Sequence, residues 1–270
     1  MSSKSTQKSR FTEMKKNSNP THSKSDDLEK KYLLGVGITN EKEDKILEYI
    51  IENCKNQQKN YYIVTPNPEM VVLANKDSRF KNVLNNAEIA LNDGVGLSLG
   101  AWFLGKRLQE RITGVDFMKN LCERLNDWPI TVGFLGGGSK IAERVAECLK
   151  KEFSELKVVF AGDNPESLRS LSKDSIPDIL FVALGFPKQE FWMQEHLGKI
   201  PVKVMMGVGG SFDYISGNVN RAPVWIRRVG FEWLFRLFVQ PWRIRRQLAL
   251  VAFVILICKA KITAILHKDG

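Results

Sequence analysis

Asp93 lies in Asn92-Asp93-Gly94, just after a short apolar run, where a carboxylate can act as a general base or simply shape a turn. Thr65 ends a second apolar run, and Gln189 sits in Gly185-Phe186-Pro187-Lys188-Gln189-Glu190 after a third. Polar residues at the ends of several strands meet at one sheet edge, and such convergence describes a binding site better than separate accidents do. Two glycine clusters, Gly136-Gly137-Gly138-Ser139 and Gly207-Val208-Gly209-Gly210, follow further apolar runs. Each can aim backbone N–H groups at a phosphate or serve as a plain tight turn. The first lacks the G-x-G-x-x-G spacing, and no acidic residue is obviously placed for a ribose. Together they suggest a nucleotide in the crevice at the strand ends.

A resident metal is not expected. The three histidines, His22, His196 and His267, have no ligand spacing, and no Asp-x-Asp pair occurs. A leaving diphosphate would therefore be met by backbone N–H groups and by Arg236, Arg243, Arg245 and Arg246, whose planar forks suit phosphate. The same arginines would also read as a solvated basic face.

The elements that must position these residues are legible from Lys31 onward. Strands are expected at Tyr32–Val36, Tyr61–Val64, Glu88–Leu91, Ile130–Leu135, Lys157–Ala161, Asp178–Leu184 and Lys203–Val208. Helices are expected at Glu41–Asn56, from Pro68 to Lys76 behind the N-cap Asn67, and from the Asp93 turn to Leu104. Further helices are expected at Gly114–Leu125, Lys140–Phe153, Glu166–Ser172 and Lys188–Leu197. Strands alternating with helices predict an α/β fold, a Rossmann-like parallel sheet covered on both faces. Residues 221–270 read as a helical, Trp- and Arg-rich appendage to a core spanning residues 32–220. Within it, Leu248–Cys258 is an unbroken apolar run of 11 residues. That is short of the roughly 20 needed to cross a bilayer. It suits an interfacial helix at a membrane surface, or a helix buried in a subunit contact.

The chain has 270 residues, is 43% hydrophobic and carries a net charge of +10, which excludes wholesale disorder and predicts an anionic partner. Residues 1–31 hold 8 basic and 4 acidic side chains, net +4, and read as a disordered basic tail. Residues 32–220 hold 22 and 24, net −2, whereas residues 221–270 hold 10 and 2, net +8. A nucleic-acid protein would spread its basic residues over the folded body, so nucleic acid is disfavoured. Cys54, Cys122, Cys148 and Cys258 form no C-x-x-C pair and are expected as small buried residues.

In order along the chain come Thr65-Pro66-Asn67-Pro68-Glu69, Asn92-Asp93-Gly94-Val95-Gly96 and Arg111-Ile112-Thr113-Gly114-Val115-Asp116. Phe134-Leu135-Gly136-Gly137, Gly185–Glu190, Gly207–Asp213, Arg221-Ala222-Pro223 and Glu232-Trp233-Leu234-Phe235-Arg236 follow. Over about residues 32–247 this series resembles the bacterial WecG/TagA/CpsF glycosyltransferases. The resemblance implies metal-independent, inverting transfer of N-acetylmannosamine or a related sugar from a UDP donor to an undecaprenyl-diphosphate-linked sugar, for cell-surface polysaccharide or teichoic acid. It implies Asp93 as the base, Thr65 and Gln189 in the same pocket, and Asp213 near the nucleoside. Arg236, Arg243 and Arg246 would belong to the appendage and meet diphosphate charge. Asn67, Gly136, Gly137 and Gly209 complete the candidate substrate-binding residues. No cofactor is expected. The expected partners are the donor, the lipid-linked acceptor and the inner face of the cell membrane, with a homo-oligomer possible. The alternative from the residues alone is a nucleotide-binding regulatory or scaffold protein without transferase activity.

Overall fold

The computed structural model describes residues 28–267 except 57–58, 173–174 and 242–243, with backbone alone at 245–247. Apolar strands pair into a six-stranded sheet among the described residues. They are β3 (Tyr61–Val64), β4 (Ile89–Ala90), β5 (Thr131–Gly136), β6 (Lys157–Gly162), β7 (Ile179–Ala183) and β8 (Val204–Gly207). The order is β4-β3-β8-β7-β5-β6, and every pairing is parallel. A parallel sheet buries both faces, so its strands are apolar on both sides rather than alternating; the burial of every residue in β3, β7 and β8 follows.

Helices cover both faces, as expected. One face carries α1 (Glu43–Asn56), α5 (Gly114–Leu125), α6 (Ile141–Glu152) and the short α8 (Ser211–Ile215). The other carries α2 (Pro68–Lys76), α3 (Ser78–Asn86), α4 (Val95–Phe103) and α7 (Lys188–His196). Phe134 stacks on Phe181 with centroids 5.6 Å apart and meets Phe212 edge-on at 5.9 Å, which pins α8 and the loop before it to the sheet. Such ring pairs contribute about 1 kcal/mol each beyond their area.

Local signals set several boundaries. The Asn67 side chain accepts from Met70 N–H at 3.1 Å and caps α2, with Pro68 at the first helical position. The expected strand Tyr32–Val36 is instead a hairpin of β1 (Lys30–Leu33) and β2 (Val36–Thr39), because Leu34 and Gly35 turn the chain at φ 50° and 81°. Leu28 is already buried and β1 begins at Lys30, so ordered chain starts before the expected end of the tail; residues 1–27 lie outside the described residues. The expected helix Glu166–Ser172 is a 3-10 turn, Pro165–Ser170, capped by Asn164. Helix α3 is not among the expected elements: it is short, and its apolar stripe consists of Phe80, Val83 and Leu84 alone.

After α8 come α9 (Val224–Arg228), α10 (Glu232–Val239) and α11 (Ile244–Leu266). The apolar run expected to end at Cys258 continues as helix to Leu266. Lys261 lies over the Phe103 ring at 5.8 Å, and Ile262, Ile265 and Leu266 resume the apolar pattern. Leu248–Leu266 is long and apolar enough to cross a membrane, yet one side of α11 packs on α2 and α4. The approach is closest at Gly100, where an added Cβ would lie 2.9 Å from Phe253 Cζ and 3.1 Å from Ile257 Cδ1. Of the cysteines, Cys54 and Cys122 are buried as expected, Cys148 is half-buried, and Cys258 is exposed on α11.

Candidate active site

The C-terminal ends of all six strands open into one cleft of about 1220 Å³. Asp93 follows β4, Thr65 β3, Gly209 β8, Gln189 β7, Gly136 and Gly137 end and follow β5, and Asp163 follows β6. Helices α10 and α11 complete its wall. This is the crevice in which open parallel sheets bind ligands.

Asp93 is held from both sides. Its N–H donates to Leu91 O at 2.9 Å and Pro66 O at 3.2 Å. Next to it, buried Asn92 donates from Nδ2 to Ser98 Oγ at 2.9 Å and to Glu110 O at 3.0 Å, which ties together the loops before α4 and α5. The Gly114 N–H at the start of α5 favours the charged form of Asp93. A Cβ on Gly114 would lie 3.4 Å from Thr65 Cγ2, 3.7 Å from Ser211 Oγ and 3.9 Å from Asp93 Oδ2, so these three groups surround one point. Burial, reinforced by the Glu232 carboxylate, pushes Asp93 up to about 7, against the Gly114 N–H, Arg111 and Arg221. A carboxylate balanced near neutral pH is suited to taking a proton.

The loop after β8 is ordered by Gln189. Its Oε1 accepts from Gly209 N–H at 3.2 Å, while Nε2 donates to Glu190 Oε1 at 2.7 Å. Thr65 is buried and its hydroxyl donates to Gly207 O at 3.4 Å. Arg236 of α10 covers Gly210, where a Cβ would stand 2.7 Å from the guanidinium Nη1. That guanidinium pairs with Asp213 at 3.4 Å and lies 4.7 Å from the Tyr214 ring centroid. Gly136 and Gly137 line the cleft; Asn67 does too, although its oxygen is committed to the α2 cap.

The expected catalytic residues Asp93, Thr65 and Gln189 thus share the cleft with Asn67, Gly136, Gly137, Gly209, Asp213 and Arg236. Arg243 lies outside the described residues, and for Arg246 only the helical backbone is described. Among the described residues, no group of three or more His, Cys, Asp or Glu is placed to hold a metal ion.

Several site residues had no role assigned from sequence. Arg221 forks onto Asp116 at 2.6 and 2.7 Å and reaches Glu232 at 3.0 Å, joining the start of α5 to α10. Burial would raise Asp116, but the Arg221 fork and the Thr113 hydroxyl outweigh it and hold the group below the usual carboxylate range. Arg111 donates to Arg227 O at 2.9 Å. Beyond Asp93 the cleft becomes apolar, lined by Leu99, Trp102 and Phe103 of α4 and by Phe253, Val254 and Ile257 of α11. Arg221 and Glu232 stand inside recognisable motifs, but pairings over 105 residues leave no local pattern.

A family model for the glycosyl transferase WecG/TagA/CpsF family matches residues 31–266. A Bacillus spizizenii W23 protein is 35% identical over 209 residues, covering 76% of this chain and 81% of that protein. A Bacillus subtilis 168 protein is 33% identical over 217 residues, 79% and 85% respectively, and one from Staphylococcus aureus MRSA252 is 30% identical over 234 residues, 85% and 92%. All three are named N-acetylglucosaminyldiphosphoundecaprenol N-acetyl-beta-D-mannosaminyltransferase.

Proposed function

Since the chain belongs to the WecG/TagA/CpsF family of glycosyl transferases, we propose that it moves N-acetylmannosamine or a related sugar from a UDP donor to an N-acetylglucosaminyl-diphosphate polyprenol. The observation that carries this reading is Asp93, lifted to about 7 at the junction of the polar cleft and its apolar end.

In this mechanism the Asp93 carboxylate takes the proton of the acceptor hydroxyl as that oxygen attacks the anomeric carbon. The carbon–oxygen bond to the donor phosphate breaks, and its electron pair leaves with the diphosphate. One displacement inverts the anomeric centre, so no covalent enzyme intermediate is needed. Developing phosphate charge is met by Arg236 and the Gly210 N–H, in a turn that Gln189 holds in place through the Gly209 N–H. The reading assigns no step to a metal. The polyprenyl chain runs out past Trp102 and Phe103 along α11, and the enzyme works as a peripheral protein at the inner face of the membrane.

The test is turnover of UDP-N-acetylmannosamine with a short-chain lipid-diphosphate N-acetylglucosamine acceptor. It should release UDP, give a β-linked product, and proceed unchanged in chelator. Asp93→Asn should lose about 1,000-fold or more in kcat. Donor binding without turnover would favour a scaffold protein instead.

A further inference from the structure

The cleft has a second end that the chemistry at Asp93 leaves unused. In the strand order, Asp93 follows the first strand and Asp163 the last, so they stand at opposite ends of the row. A donor reacting beside Asp93 carries its diphosphate across the middle, at Gly209 and Arg236. Its nucleoside, the part farthest from the reacting carbon, then falls toward β5 and β6.

Those two strands form a complete βαβ unit, with β5, the glycine turn, α6 and β6 in succession. Strand β5 leads to α6 on one face of the sheet, whereas its neighbour β7 leads to α7 on the other. Nucleotides bind where adjacent crossovers part in this way. In such units a carboxylate at the end of the second strand accepts hydrogen bonds from ribose hydroxyls. Asp163 directly follows Gly162, the last residue of β6, which is in register with Leu135 of β5. The carboxylate therefore stands abreast of the glycine turn.

The turn that follows Asp163 fixes its backbone. Asn164 Oδ1 accepts from Glu166 N–H at 3.0 Å, and Asn164 O accepts from the Ser167 hydroxyl at 2.6 Å, so the 3-10 turn begins directly after Asp163. Asp163 is exposed and lines the cleft, and no hydrogen bond or ion pair to another described residue engages its carboxylate. An exposed carboxylate without a partner among the described residues, lining the cleft at the β5–β6 end, is open to a ribose there. The sequence hides this arrangement, because the turn is not G-x-G-x-x-G and the acid comes 25 residues beyond Gly138, past a whole helix.

We propose that Asp163 binds the ribose hydroxyls of the donor's nucleoside and so selects a ribonucleotide over its 2′-deoxy analogue. This rests on the reading that the donor is a nucleotide-linked sugar. The experiment is calorimetric titration of the full-length protein with UDP and with 2′-deoxy-UDP, for the native chain and for Asp163→Ala and Asp163→Asn. A hydrogen bond to a carboxylate is worth roughly 10- to 100-fold in affinity. The native chain should prefer UDP by about that factor, Asp163→Ala should bring the ratio close to one, and Asp163→Asn should fall between. In turnover, Asp163→Ala should raise the donor KM and leave kcat at saturating donor unchanged. A native chain that binds both nucleotides equally, or an Asp163→Ala variant that keeps the preference, overturns the proposal while leaving the nucleotide donor intact. If neither nucleotide binds, this proposal and the donor reading fall together.

Discussion

A base that must take a proton near neutral pH cannot also be a comfortable carboxylate, and Asp93 carries that conflict in its surroundings. Between about pH 4 and 7 the folded protein holds a proton on Asp93 that the unfolded chain has already released, since the group is lifted from 3.8 to about 7. Native protein then binds more protons than unfolded protein, so this residue's contribution to stability falls as pH rises through that window and stays low above it. Asp93→Asn removes the ionisation. It should unfold at a higher temperature than the native chain at pH 8, by roughly 3 °C for about 1 kcal/mol, and the difference should vanish near pH 4. The catalytic counterpart is kcat/KM of the native enzyme falling tenfold per pH unit below an apparent pKa near 7. Equal melting temperatures at both pH values would mean that Asp93 is solvated rather than strained.

Elements bring charges to that carboxylate from distant parts of the chain. Helix α10 supplies Glu232, which raises Asp93, and the Arg221 clamp joins α10 to Asp116 at the head of α5. Glu232→Gln removes the opposing charge and leaves Arg221, still forked onto Asp116, less fully neutralised, and both changes favour the Asp93 carboxylate. The acid limb of the rate profile should therefore move to lower pH, by roughly half a unit to one unit, as measured by kcat/KM between pH 5 and 8. An unmoved limb would show that α10 acts on substrate alone. The same contrast explains what could be read beforehand. Helix α2 announced itself through Asn67 and Pro68, and helix α5 and strand β3 through compact apolar patterns, because caps and periodicity are local. The candidate residues Asp93, Thr65 and Gln189 were visible because each ends or follows an apolar run. Arg221 and Glu232 stand in motifs that do not disclose their roles, and Asp163 stands in none: the significance of all three comes from strand order and from pairs across the fold, which one sequence does not encode as a pattern. The hairpin of β1 and β2 is hidden for the opposite reason, since Leu34 in a left-handed turn breaks the expectation that such positions belong to glycine or asparagine.

At the scale of the whole molecule, a near-neutral body with net −2 over residues 32–220 carries +8 over residues 221–270. That charge adjoins an apolar surface. On α11, Phe253 and Ile257 are 3% and 5% exposed against the body, whereas Leu248, Val251, Ile255, Ile262 and Leu266 fall on the opposite side and are at least half exposed. Trp102 of α4, 74% exposed, stands at the mouth of the cleft's apolar end. A helix with one side fastened to the protein and an apolar side left open suits a bilayer surface, with cationic residues nearby to meet anionic headgroups. Replacing Val251 and Ile255 with Glu puts two charges on that open side and leaves the Phe253–Ile257 contact in place. The native chain should cosediment with phosphatidylglycerol–phosphatidylcholine vesicles, and Val251→Glu/Ile255→Glu should bind them at least 100-fold more weakly, given about 1.5 kcal/mol or more per apolar side chain withheld from lipid. UDP affinity should not change, because the donor end of the cleft lies at the far strands. Turnover should fall for acceptors presented in vesicles and persist for short-chain acceptors in solution. Undiminished vesicle binding by the double variant would move the membrane contact away from α11, to the basic segment before it.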